Sequence, residues 1–137
     1  MKEKSLEMTS TLDMIKSGLL DADPMMFKMT PEELAYICNG CGAKGKFDFV
    51  PDTIWFMSIK EVCNIHDFDY HMGKTIEDKM MADRRMRNNM LRLIVLRSWG
   101  WLRRVRRWRV NLYYRVVDAY GGPAFWVGKN IDKWRSK

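Results

Sequence analysis

No apolar run in this chain approaches the roughly 18–20 residues that a membrane-spanning helix needs, which excludes a helical span. The opening Met1-Lys2-Glu3-Lys4-Ser5 leads into polar sequence with no apolar core of about 7–15 residues, so no cleavable secretion signal is visible. The expectation is a protein made in the cytoplasm, associated with a membrane surface or released by a route that uses no signal peptide. Cysteine is scarce. Three of them make no even disulfide set, so free, metal-bound and bridged fates all stay open. There is no internal repeat, and no alternating strand pattern beyond a suggestion of one at 46–50. What remains is an all-α class.

Acid is missing from residues 84–117, where eleven arginines stand unopposed. Residues 1–83 hold nine Lys/Arg against fifteen Asp/Glu, and the last twenty residues carry four bases and two acids. The overall charge of +7 therefore conceals a cationic C-terminal third joined to a mildly acidic front. Such a block fits an anionic partner (phospholipid head groups, nucleic acid or an acidic protein), or else a solvated helix face. At 137 residues, 47% apolar and 12% aromatic, residues 1–137 read as a single domain able to bury a core. Nothing in the sequence sets an oligomeric state.

Apolar spacing predicts a first helix over 5–20, ended by Asp21-Ala22-Asp23-Pro24. Met25-Met26-Phe27-Lys28-Met29 is a short apolar connector that could wall a lipid-sized slot. Thr30-Pro31-Glu32-Glu33 is a helix start, with a threonine cap, proline in the first turn and acids at the positive end of the dipole. A loop over 39–52 carries three glycines and Pro51, and long irregular segments in small domains are often functional. Helices are then expected over about 58–72, 75–98 and 101–120, separated by Gly73 and Gly100.

On the 58–72 helix, Ile59, Cys63, His66 and Tyr70 share a face. On the next, Ile76, Met80, Asp83, Arg87, Met90 and Ile94 do. His66, Tyr70 and Asp83 thus sit on mostly apolar stripes that should point inward, where polar groups need partners. His66 lies eight residues before the turn centre near residue 74 and Asp83 nine after it. At ~1.5 Å rise per residue both stand about 12–14 Å from the turn, level across an antiparallel hairpin. A His66–Asp83 hydrogen bond follows, with Tyr70 one turn away and able to donate to the same carboxylate. Such a trio is either a polar pair holding two helices in register or part of a hydrolytic site.

The run Cys63-x-x-His66-Asp67-x-x-Tyr70, with Ala82-Asp83 downstream and Gly40-Cys41-Gly42-x-x-Gly45 upstream, resembles the phospholipase A2 superfamily, most of all its short microbial and viral members. The resemblance covers residues 38–90. Residues 91–137 form a basic, Trp/Arg-rich helical extension that it does not cover. It implies His66 as the general base that takes a proton from water, Asp83 as the group that orients it, and Tyr70 as a donor to Asp83. It implies Ca2+ held by Asp67 and the carbonyls of Gly40, Gly42 and Lys44, with the Gly42 amide facing the developing oxyanion. It also implies a disulfide between Cys41 and Cys63 and cleavage of the sn-2 ester of glycerophospholipids.

Two other readings use the same residues. Cys38-x2-Cys41 and Cys63-x2-His66 have the spacing of two half-sites for structural Zn2+, which would make the chain a zinc-stabilised basic module binding nucleic acid. A non-catalytic membrane-binding or membrane-disrupting protein on the same helical scaffold is the other. The helix over 101–120 bears on both. Trp101, Val105, Trp108, Leu112 and Val116 share one face, and Arg103, Arg104, Arg106, Arg107 and Arg109 spread over the rest. That pattern suits either a core helix with inward tryptophans or a helix lying on an anionic bilayer, with Trp101, Arg103, Arg104, Arg106, Arg107 and Trp108 in contact. No zinc-finger helix, RNP signature or phosphate loop supports sequence-specific nucleic-acid readout, which leaves nucleic acid a secondary partner.

Overall fold

The computed structural model describes residues 2–38, 53–54, 57–120 and 122–126. The chain is mostly helical. In order come α1 (Lys2–Lys16), a 3-10 turn (Pro24–Lys28), α2 (Pro31–Ile37), β1 (Thr53–Ile54), β2 (Met57–Ser58), α3 (Lys60–Met72), α4 (Ile76–Arg97), α5 (Trp101–Tyr120) and α6 (Gly122–Trp126). The small antiparallel pair β1–β2, matching Thr53 to Ser58 and Ile54 to Met57, was not anticipated. Strands of two residues are too short to leave a periodic trace in sequence. The suggested strand at 46–50 and the glycine loop lie outside the described residues.

Caps fix several helix boundaries. Thr30 with Glu33 and Thr75 with Asp78 each form a reciprocal capping box, which satisfies first-turn amides that the helix cannot pair itself. The first helix stops at Lys16, short of the expected residue 20. Gly18 adopts φ 82°, and the Gly18 and Leu19 amides donate back to the Ile15 and Met14 carbonyls. This is a Schellman turn, which closes a helix wherever glycine makes the left-handed conformation cheap. Leu20 still reaches the core, but from the turn.

α3 is the central element. It packs on α1, α2, α4 and α6, and seven consecutive residues from Val62 to Phe68 are buried. A helix covered on all sides has no polar face to display, so Asn64, His66 and Asp67 are buried with its apolar residues. α4 packs on α3 and α5. Its inward face comprises Ala82, Asp83, Met86, Asn89, Met90, Leu93 and Ile94. Ile76 and Met80, expected on that face, are exposed instead.

The inward face of α5 is also not the expected one. Arg106, Val110, Tyr113 and Val117 are buried, and the Trp101–Trp108–Leu112 stripe faces outward. The reason lies at the α4–α5 corner. Arg106 donates to the Arg97 carbonyl (3.0 Å) and the Ser98 hydroxyl (2.6 Å), and Arg103 donates to the Val95 and Ser98 carbonyls at 3.0 and 2.9 Å. Orphaned carbonyls at a helix end need donors, and these two guanidinium groups supply them, which sets the rotation of α5. Arg103 and Arg106 are therefore fasteners of the corner, a role their membrane assignment did not foresee.

Candidate functional site

The site is built on the facing sides of α3 and α4. His66 Nε2 lies 2.8 Å from Asp83 Oδ1, and Tyr70 Oη donates to the same oxygen at 2.6 Å. His66 is 2% exposed and Asp83 is fully buried. The expected trio is therefore assembled. The His66 and Tyr70 rings also touch, tilted by 46° with centroids 4.1 Å apart, and Phe125 of α6 meets Tyr70 edge-on at 5.1 Å. That packing depends on Gly73. A Cβ there would stand 2.7 Å from Phe125 Cε1, so the absence of a side chain lets α6 close over the end of α3.

Burial alone would raise the Asp83 pKa. The hydrogen bonds from His66, Lys79 and Tyr70 outweigh it and hold the carboxyl below the usual carboxylate range. An ionised Asp83 only accepts, so the neutral His66 ring carries its proton on Nε2 and its lone pair on Nδ1. Burial and the adjacent Asp83 charge push the Tyr70 phenol up, and it stays a donor. The arrangement can thus present an oriented imidazole with Nδ1 as the basic atom.

Lys79 was missed by the sequence reading. It is 4% exposed and donates to Asp83 Oδ2 at 2.8 Å, one turn along α4, and to the Asp118 carbonyl of α5 at 3.2 Å. The i, i+4 Lys–Asp spacing was the available signal, but such pairs are usually solvated surface contacts. Only the packing of α5 makes this one internal. Two other buried polar groups fasten the surroundings. Asn64 accepts from Lys4 (2.7 Å) and donates to Glu7 (2.8 Å), pinning α1 to α3. Asn89 clamps both backbone groups of Asp21, at 2.9 and 2.8 Å.

Asp67 is buried beside His66, at 6% exposure. Its proposed co-ligands Gly40, Gly42 and Lys44 lie outside the described residues. One carboxylate with peptide oxygens is a hard-oxygen set that suits Ca2+. Among the described residues no group of three His, Cys, Asp or Glu side chains is placed to hold a metal, and a site completed by peptide oxygens needs no such group. Cys63 is disulfide-bonded and Cys38 is a free, buried thiol. Cys41 lies outside the described residues. Burial, with Asp67 nearby, pushes the Cys38 thiol up to about 12.

Asp69, also on α3, receives Arg85 Nη1 at 2.8 Å, while Arg85 Nε reaches Asp21 at 3.1 Å. Its Oδ2 is buried and accepts no hydrogen bond from the described residues. Burial therefore raises its pKa to about 6 despite Arg85. The connector predicted to wall a slot does line a cleft of about 550 Å³, through Phe27 and Met29 with Leu12 and Pro31. His66 and Asp83 do not line it.

No protein-family model, curated protein or solved structure matches the chain. No described helix is long and apolar enough to cross a membrane.

Proposed function

We propose that this chain is a calcium-dependent, phospholipase A2-like hydrolase that cleaves the sn-2 ester of glycerophospholipids with a water activated by His66. One observation carries the reading: Asp83 Oδ1 takes hydrogen bonds from both His66 Nε2 and Tyr70 Oη, with Asp67 next to His66 on the same helix. The carboxylate fixes the imidazole tautomer and stabilises the imidazolium formed when Nδ1 takes a proton from water. Lys79 holds the other oxygen of Asp83, so the carboxylate orients the ring and stays ionised. Asp67, with the carbonyls of Gly40, Gly42 and Lys44, would hold Ca2+. When bound, the ion supplies a Lewis acid for the lipid phosphate and the ester carbonyl.

The zinc set is the weaker reading. The Cys63 sulfur is in a disulfide, the Cys38 thiol is held protonated, and His66 Nε2 is engaged by Asp83. Association with a phospholipid surface is favoured by Trp99, Trp101 and Trp108, which are 71%, 63% and 62% exposed. Exposed Arg104 and Arg107 stand among them. Tryptophan with arginine is the chemistry of the bilayer interface.

The test is release of free fatty acid from mixed phospholipid vesicles, with and without calcium, by the wild type and by His66→Ala. Release that needs both calcium and His66 is expected. Hydrolysis indifferent to either would remove the mechanism. Vesicle leakage without hydrolysis, equal in both proteins, would favour the non-catalytic membrane reading.

A further inference from the structure

A second cluster lies away from His66, where α4 and α5 meet. Arg84, Arg87 and Asn88 of α4 face Asn111, Tyr114 and Arg115 of α5 across a cleft of about 460 Å³. Each helix contributes residues at i, i+3 and i+4, so each triplet occupies one face. The lining, among the described residues, includes no carboxylate. Among the described residues none of the three guanidinium groups is in an ion pair. Arg87 is held in place: its Nε donates to Asn111 Oδ1 at 3.1 Å and its guanidinium lies over the Tyr114 ring at 6.0 Å. With Nε engaged, the terminal nitrogens keep four N–H donors for another partner. Three like charges around one cleft repel one another until an anion enters.

We infer that this cleft binds a phosphate group carried by a multiply charged ligand. A tetrahedral phosphate offers several oxygens to planar guanidinium forks, and the Asn88 and Asn111 amides add neutral donors. The source favoured is the head group of an anionic phospholipid. Leu112 follows Asn111 directly, and Trp108 precedes it by one turn. Both are exposed, so the cleft stands beside an apolar surface that free phosphate would not use. This site is separate from the proposed hydrolytic centre and does not depend on it.

Cosedimentation with vesicles tests this, with calcium chelated so that hydrolysis does not intervene. Vesicles of phosphatidylcholine alone are compared with vesicles that also carry phosphatidic acid. Proteins compared are the wild type, Arg87→Gln, Arg115→Gln, and Arg92→Gln, an exposed α4 arginine outside the cleft lining that changes the charge equally. Phosphatidic acid should strengthen binding, and each cleft variant should weaken it by about tenfold, with Arg92→Gln losing much less. Arg115 is exposed with no described partner, so its variant keeps the test valid if Arg87→Gln fails to fold. Equal losses in all three variants would reduce the cleft to diffuse charge and overturn the inference. So would indifference to phosphatidic acid, unless inorganic pyrophosphate binds with the same arginine dependence. That result would keep the phosphate site and overturn its lipid source. Duplex DNA binding more tightly than the vesicles, through the same arginines, would overturn the lipid assignment in favour of nucleic acid.

Discussion

The interior between α3 and α4 and the corner between α4 and α5 both bury cations, by different means. Lys79 is neutralised by a carboxylate, Asp83, that His66 and Tyr70 also engage. Arg106 donates to a carbonyl and a hydroxyl at the end of α4. The first is a network of coupled charges, in which removing one member strands another. The second is a cap whose loss leaves neutral dipoles. A buried charge thus carries different consequences depending on whether its partner is itself charged.

The largest expected effect separates chemistry from scaffold. His66→Gln should lower calcium-dependent fatty acid release by about 10²–10⁴-fold, the usual contribution of a general base, with the fold retained. A variant with unchanged turnover would leave the trio a purely structural device. Asp83→Ala should instead cost stability, about 3–5 kcal/mol in urea denaturation, because Lys79 is left charged in the interior. Adding Lys79→Met should recover much of that loss. Failure of the second change to rescue would show that the two groups are not coupled. For this reason Asp83→Ala by itself is a poor test of catalysis.

At the corner, Arg106→Gln should cost about 1–3 kcal/mol, and exposed Arg107→Gln less than about 0.5 kcal/mol. Equal effects would dissolve the distinction between fastening and surface arginines.

The smallest effect is a pH slope. Asp69 holds its proton more tightly in the folded chain than its ordinary value of 3.8, up to about 6. The folded state then binds more protons than the unfolded one across that window, so this group's contribution to stability falls as pH rises through it. Asp83 works oppositely. Its lowered pKa gives stability that is present above the ordinary carboxylate range and lost as pH falls through the folded value. Melting curves for Asp69→Asn should therefore lose the decline between about pH 4 and pH 6 and keep the acid-side loss. A decline of the same size in Asp69→Asn would assign it to another group.

How much was legible depended on whether the signal was local. The Thr30 cap, α4 and α5 to within a residue, and the inward stripe of Ile59, Cys63, His66 and Tyr70 followed from short-range rules. The His66–Asp83 bond followed from equal distances about a turn. The rotation of α5 did not, because its stripe of Trp101, Val105, Trp108, Leu112 and Val116 suited either the core or a bilayer surface, and only the carbonyls at the end of α4 decided its orientation. Lys79 was overlooked for a similar reason: a lysine one turn from an aspartate reads as a surface pair until another helix covers it.

By itself the sequence determined the helical class, most helix limits and the meeting of imidazole with carboxylate, since hydrogen bonds within a helix and counts along it need no distant partner. Tertiary packing decided which arginines fasten the corner and which stay in water, and placed the exposed tryptophans. It also decided that Lys79 shares the Asp83 carboxylate. Burial is a property of neighbours brought from far along the chain, and dehydration turns a side chain's charge from a surface ornament into a structural constraint.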